Sequence, residues 1–416
     1  MEKKSFWKNY RFLIILLAGI VAGCILGAFW PGATCLEPIG TVFINMMFCV
    51  VVPLVFASIS SAIGNMRNAA RGGKIIGTTI ALFLVTGAIA AVIMIVLMKI
   101  FPPVLTPWQG MQAGDVDQQA SVGDLIVNFF TVSDFAGLLS RKAMLPLIIF
   151  SVIFGFCVQM TGGPDSTIGK FINGLSDVML KFVKIITYYA PIAFFGFFAS
   201  LVAKYGPQLI GDYSRGMAVY YPTCLIYVLI AFPIYAYWGG GKGAPKIMFR
   251  HILRPAITSL GTCSSVATIP TNLDVAAETG ISKDVSEIVL PLGATMHMDG
   301  SCFSCVLKIA FLFGAFGIPF TGIGTYLEVI LVAVFSSVAM SGIPGGGYIG
   351  EFIICSLFFP NQLALAYPLA ITIGNLVDPP ATMVNSSGDY VISYVVSRFV
   401  DGKDWLQKKI KAGEVR

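Results

Sequence analysis

The sequence predicts an all-α integral membrane protein whose last third repeats a helical hairpin followed by an interrupted span. Three observations predict it. The 416 residues are 56% hydrophobic and only 12% charged, against roughly 25% charged in a soluble domain. Apolar runs of bilayer length recur along the chain. Polar, Gly- and Pro-containing interruptions come in pairs, at places too deep within apolar sequence for ordinary loops.

Taken in order, apolar runs place helices near 12–30, 38–65, 74–101, 122–162, 171–203 and 214–239. The first follows Lys3, Lys4, Lys8 and Arg11 as a signal sequence would. It runs on for about 19 residues into further spans, so it reads as a retained helix. The 102–121 connection carries Asp115 and Asp117 with no Lys or Arg and should face outward. Arg67, Arg71 and Lys74 flank one loop, Lys242, Lys246, Arg250 and Arg254 another, and Lys403, Lys408, Lys409, Lys411 and Arg416 close the chain. The positive-inside rule puts all three groups, and therefore both termini, in the cytoplasm, with the protein multi-pass in the inner (plasma) membrane.

The net charge of +6 comes from these short loops and not from one basic face, so lipid and not nucleic acid is the expected environment. Nine cysteines scattered through apolar sequence do not form a disulfide framework, and two histidines are too few for a zinc site. Cys302 and Cys305, a C-x-x-C inside an apolar run, read as packed thiols.

Beyond residue 245 the pattern changes. Ser264-Ser265-Val266-Ala267-Thr268-Ile269-Pro270 is echoed by Ser336-Ser337-Val338-Ala339-Met340-Ser341-Gly342-Ile343-Pro344. Each is followed by a span with its own polar break, the first at Thr295–Gly300 and the second from Asp378 to Asp389. Non-helical backbone at membrane depth survives only where protein or an aqueous cavity satisfies its polar groups, so paired interruptions mark a binding site. Asp378, beside two prolines, is a costly intramembrane charge that requires a partner. A channel would instead need a continuous polar stripe through several spans. An intramembrane hydrolase would need Ser265 as nucleophile aligned with His297 as base.

At Pro53-Leu54-Val55-Phe56, the serine-rich first hairpin, Met298-Asp299-Gly300, Gly342-Ile343-Pro344-Gly345, Thr382-Met383-Val384-Asn385 and Gly388-Asp389, the chain resembles the dicarboxylate/amino acid:cation symporter family. Excitatory and neutral amino acid transporters belong to that family. The resemblance covers nearly the whole chain. It implies eight transmembrane helices plus two re-entrant hairpins in inverted repeats, assembled as a homotrimer and working as an elevator. Scaffold would then comprise residues 1–73 (first two spans) and 122–203 (fourth and fifth), with the third span and outward loop at 74–121 and the sixth span at 204–244. A transport core at 245–400 and a cytoplasmic tail at 401–416 would complete the chain.

By resemblance, Asp378 binds a substrate ammonium with Thr382 beside it, and Asn385 with the backbone N–H groups at Ser264 and Ser265 holds an α-carboxylate. Family members that carry acidic substrates place an arginine three residues after the aspartate; here that residue is Ala381, and the alternative position in the first hairpin is Cys263. Burying a second carboxylate without a cation costs several kcal/mol, a penalty of about a hundredfold or more. Ala381, Ser301 and Gly347 are therefore expected to line a small pocket for serine, alanine, threonine or cysteine. The alternative is a sodium-coupled version of the same symporter, or a carrier of C4-dicarboxylates or acidic amino acids.

No cofactor is expected beyond a coupling ion, Na⁺ or H⁺. Asp299, Asp389 and Asn385, with backbone carbonyls at Gly293, Thr295 and Ser337, are hard oxygen ligands of the kind sodium takes. The family's asparagine two places before Asp299 is here His297, and a tyrosine and Thr-Ser pair of the third span are Phe83 and Thr86-Gly87. A histidine beside an aspartate in a membrane core is a proton-carrier candidate. Lys308 is a second oddity, with Glu351 as its candidate partner or its ammonium snorkelling to the interface.

Overall fold

The computed structural model describes residues 3–65, 70–108, 127, 131–140, 143–206, 208–338, 340, 347–413 and 415. Among the described residues all regular structure is helical. The helices are α1 (Lys3–Phe29), α2 (Glu37–Gly64), α3 (Ala70–Ile100), α4 (Phe135–Leu138), α5 (Met144–Met160), α6 (Thr167–Thr187), α7 (Ala190–Tyr205) and α8 (Gln208–Gly240). There follow α9 (Ala244–Thr262), α10 (Ser265–Glu278), α11 (Lys283–Met296), α12 (Asp299–Phe316), α13 (Ile323–Val338), α14 (Tyr348–Phe358), α15 (Leu363–Val400) and α16 (Trp405–Lys411). Gly73–Ile100, Leu209–Gly240 and Lys283–Phe316 are long and apolar enough to cross a bilayer, as is the bent pair α6–α7 taken together. The 109–126 part of the outward loop, Arg67 and the Ser341–Gly345 tip lie outside the described residues.

Two expected helices are divided. The run 171–203 bends by 54° between α6 and α7. Pro191 enters the first turn of α7, where its missing N–H costs nothing, whereas inside a continuing helix it would remove a hydrogen bond. The described part of 122–162 holds two separate helices, α4 and α5.

The outer helices pack through small residues. Gly19, Gly23 and Gly27, one turn apart on α1, lie so close to the Pro191, Phe195 and Ala199 backbone of α7 that a methyl group at any of them would overlap it. In lipid, where apolar surface gives helices no reason to leave the solvent, such close approach supplies the dispersion contact that holds them together. Their other faces remain open: Val85, Val92 and Val96 of α3 and Leu225, Leu229 and Ile230 of α8 are exposed.

The inner elements are α11, α12 and α15, and α12 is buried almost along its whole length. One face of α8 is fastened to them by tyrosines seven residues apart. Tyr213 donates to Leu369 O (3.2 Å), Tyr220 to Gly300 O (2.7 Å) and Tyr227 to Asp299 Oδ2 (2.8 Å).

Of the two expected broken spans, only the first is broken. The chain leaves the helix at His297, which has extended backbone, and re-enters at Asp299. The second span, α15, is one continuous helix of 38 residues through Asp378-Pro379-Pro380 to Asp389. The two prolines free the carbonyls four residues before them, at Asn375 and Leu376. The Tyr221 hydroxyl takes the second, donating to Leu376 O at 2.7 Å, so the helix survives where the sequence pattern alone indicates an interruption.

Candidate transport site

The break before α12 is held open by a side chain from another helix. The first turn of any helix presents N–H groups with no partner in the helix. Asn385 of α15 accepts from two of them, Gly300 N at 2.8 Å and Ser301 N at 3.3 Å, and its own Nδ2 donates to Ser301 Oγ at 3.0 Å. Gly300 carries no side chain because the Ala381 backbone lies where a Cβ would go. Two polar clusters sit on either side of this junction.

The first surrounds His297, whose ring is wholly buried and stacks on Phe83 with centroids 4.6 Å apart. Nδ1 lies 3.0 Å from Asp389 Oδ1, and Nε2 lies 3.2 Å from Thr86 Oγ1 and 3.4 Å from Asp299 Oδ2. Both ring states find partners here. A charged imidazole donates to a carboxylate from each nitrogen, while a neutral one keeps Nδ1–H on Asp389 and accepts the Thr86 hydroxyl at Nε2. Gly388 and Gly293 are glycines because His297 and the Asp389 carboxylate respectively occupy their Cβ positions.

The second cluster lines a cavity of about 40 Å³, space on the scale of one or two water molecules. Ser301, Ser304 and Lys308 face it from one stripe of α12, Gly347, Tyr348 and Glu351 from the start of α14, and Gly374, Asp378 and Ala381 from one stripe of α15. Lys308 Nζ lies 2.5 Å from Glu351 Oε1, with both side chains 2% exposed. Gly374 leaves room for this pair, since a Cβ there would strike the Glu351 carboxylate. Asp378 Oδ1 accepts from Thr382 Oγ1 at 3.2 Å. A larger groove of about 440 Å³ between α3 and α8 is lined almost wholly by apolar side chains and offers little to a polar solute.

Of the residues expected to bind substrate, Ser301, Gly347, Asp378 and Ala381 line the cavity, and Thr382 touches Asp378. Asn385 braces the helix break instead, its amide committed on both atoms. Ser264 caps α10, accepting from Ala267 N at 3.2 Å, after Cys263 turns the hairpin with φ +48°. Neither Ser264 nor Ser265 is among the cavity-lining residues. The polar partners of His297 are Thr86, Asp299 and Asp389 and not Ser265, so the hydrolase arrangement is not formed.

Among the expected ion ligands, Asp299 and Asp389 face each other across the His297 ring. Gly293 O accepts from His297 N, Thr295 Oγ1 turns back to Leu292 O, and Ser337 Oγ bonds Ala333 O and meets Cys302 Sγ at 3.0 Å. The imidazole thus lies between the two carboxylates. Cys302 and Cys305 are free thiols.

Ala381 and Cys263 supply no cation to the cleft, but Lys308 of α12, paired there with Glu351, lines it. Its signal was present in the sequence as the i, i+3, i+7 spacing of Ser301, Ser304 and Lys308.

An all-helical membrane protein with an interrupted span and a small cavity lined by buried charged and hydroxyl side chains is a secondary transporter in its construction. The profile of the sodium:dicarboxylate symporter family matches residues 12–399, and the chain belongs to that family. Its relatives include proteins named C4-dicarboxylate transport protein. The one from Rhizobium etli is 27% identical, the alignment covering 97% of this chain and 91% of the relative. That from Bordetella avium is 27% identical over 94% and 89%, and that from Sphingopyxis alaskensis 25% identical over 96% and 91%.

Proposed function

We propose that the chain carries small carboxylates, C4-dicarboxylates first, across the membrane in symport with a cation. The observation that carries this reading is Lys308 in the cavity wall, with Ser301 and Ser304 lining the same cavity from the same stripe of α12. The printed names of the relatives point the same way. With Glu351 and Asp378 both ionised, the three charged groups lining the cavity sum to one negative charge, so a dianion enters only with cations, and coupling follows from electrostatics. The proton is the coupling ion favoured by His297, which has partners in both of its states where a sodium ion would sit. As in the family, a homotrimer working as an elevator, with both termini cytoplasmic, completes the proposal.

A second reading keeps the small neutral L-amino acids serine, alanine and threonine. It is favoured by Asp378 with Thr382, a carboxylate that suits a substrate ammonium. Uptake into proteoliposomes separates the two. Succinate should accumulate on an inward pH gradient without sodium, and labelled serine should not; serine uptake alone overturns the dicarboxylate reading. Asp378→Asn gives the two readings opposite signs. Removing a negative charge should strengthen succinate binding by about tenfold and weaken serine binding by about a hundredfold.

A further inference from the structure

The Lys308–Glu351 pair needs a reason to exist. Each partner loses its hydration on burial, and well-packed apolar residues at such sites are often as stable or more so. The pair also joins two elements that are separate in the chain, α12 and α14, directly at the cavity that holds Asp378. Only one Glu351 oxygen is used: Oε2 has no hydrogen-bond partner among the described residues. Among the described residues the carboxylate is thus held through one oxygen, and Gly374 and Gly347 leave room for it, since a Cβ at either would crowd Oε1.

We infer that Lys308 is the residue that receives a substrate carboxylate, and that Glu351 is its resident counterion, an internal stand-in displaced when substrate binds. This rests on the reading that the cavity takes a small carboxylate, and it deepens that reading by naming the group that recognises it. The exchange leaves the number of contacts to Lys308 unchanged and adds negative charge to the cavity. Whatever binds must therefore bring positive charge, either its own ammonium or a co-transported cation. The selectivity filter is thus a competition between two carboxylates for one ammonium, and Glu351 sets how strongly a ligand must bind to win.

The test uses the full-length chain in detergent, with thermal shift and binding isotherms for succinate and L-serine as probes. Glu351→Gln removes the competitor and should tighten the bound probe by at least about tenfold, whereas Lys308→Met should weaken it by about a hundredfold or more. Because either single change strands a buried charge, the deciding variant is Lys308→Met with Glu351→Met, which restores an apolar contact. It should fold and fail to bind. Binding by this double variant at wild-type affinity means the pair is structural and overturns the inference.

A second measurement does not depend on which substrate is correct. Glu351→Ala deletes a group equivalent to acetate and leaves its space beside Lys308. Millimolar acetate should raise the unfolding temperature of Glu351→Ala but not of the wild type or of Glu351→Ala combined with Lys308→Met. If succinate and serine both fail on the wild type while acetate rescues Glu351→Ala, the substrate readings fall and Lys308 stands. If acetate has no effect on Glu351→Ala, Lys308 is not a carboxylate receptor.

Discussion

The two polar clusters beside the α11–α12 break have the same composition of charge and different surroundings. Each places two carboxylates around one basic side chain: Asp299 and Asp389 around His297, Glu351 and Asp378 around Lys308. The His297 cluster is sealed. Phe83 covers the ring face, Tyr227 holds Asp299, and none of its members lines the cavity. The Lys308 cluster opens on the cavity through two stripes of small side chains. On the proposed reading, similar groups with unequal access do two jobs: the buried His297 cluster handles a proton, and the Lys308 cluster, which lines the cavity, meets the solute.

The largest effects come from removing the basic member alone. Lys308→Met leaves two buried carboxylates without their cation, and His297→Leu does the same to Asp299 and Asp389 whenever the imidazole is charged, a loss of about 3–5 kcal/mol. Thermal unfolding in detergent reads it. The comparison predicts different remedies: Glu351→Met should restore most of the Lys308→Met loss, whereas His297→Leu requires both Asp299 and Asp389 to be neutralised. Equal recovery from a single change in both clusters would erase the distinction.

Next in size is the exchange of the sealed cluster's cation. His297→Asn removes the ring and supplies an amide oxygen between Asp299 and Asp389. The variant should acquire sodium-dependent stability, about 2.7 kcal/mol at a concentration one hundred times the dissociation constant, measured as the shift between sodium and choline chloride. The wild type should show none. A wild-type shift of that size would mean that sodium already binds beside His297, and the proton reading would fail.

The sequence pattern exposed most of this architecture, and its failures have physical causes. Apolar runs located α1, α2, α3 and α8 because lipid imposes length and composition on each span separately. The break at His297 was visible for the same reason: polar residues at that depth need a special arrangement. The continuity of α15 was not, because the hydroxyl that rescues Leu376 O belongs to Tyr221, 155 positions away. The contacts of Asn385 were hidden in the same way. Its residue type suits a ligand, but its partners are the N–H groups of α12, brought together only by folding. Lys308 stood out as an oddity yet could not be assigned, since the spacing along one helix does not say which neighbouring helix its face meets.

A smaller effect probes the scaffold, away from both clusters. Gly23→Val on α1 forces a side chain against the Phe195 and Ala199 backbone, and overpacking of this kind costs about 1–3 kcal/mol. Unfolding temperature should fall while the affinity of the folded protein for substrate stays as in the wild type. A change in affinity would show that the outer helices are coupled to the site through α7, and that the division into outer packing and inner chemistry is too sharp.

The smallest expected effect is the most specific. Tyr221→Phe keeps the ring in place but returns the Leu376 carbonyl to an unsatisfied state, at a cost of about 1–3 kcal/mol if it stays buried and nearer the low end where water reaches it. Tyr221 is itself partly exposed, at 45%, so about 1 kcal/mol is the expectation. What distinguishes this from an ordinary lost hydrogen bond is location. Leu376 lies two residues before Asp378, and relaxation of the helix there moves Asp378 against Lys308 across the cavity. Substrate affinity should therefore fall by more than the stability does, and hydrogen exchange at the amides following Pro380 should quicken. Unchanged exchange there would mean that α15 holds its course through the prolines without help from α8.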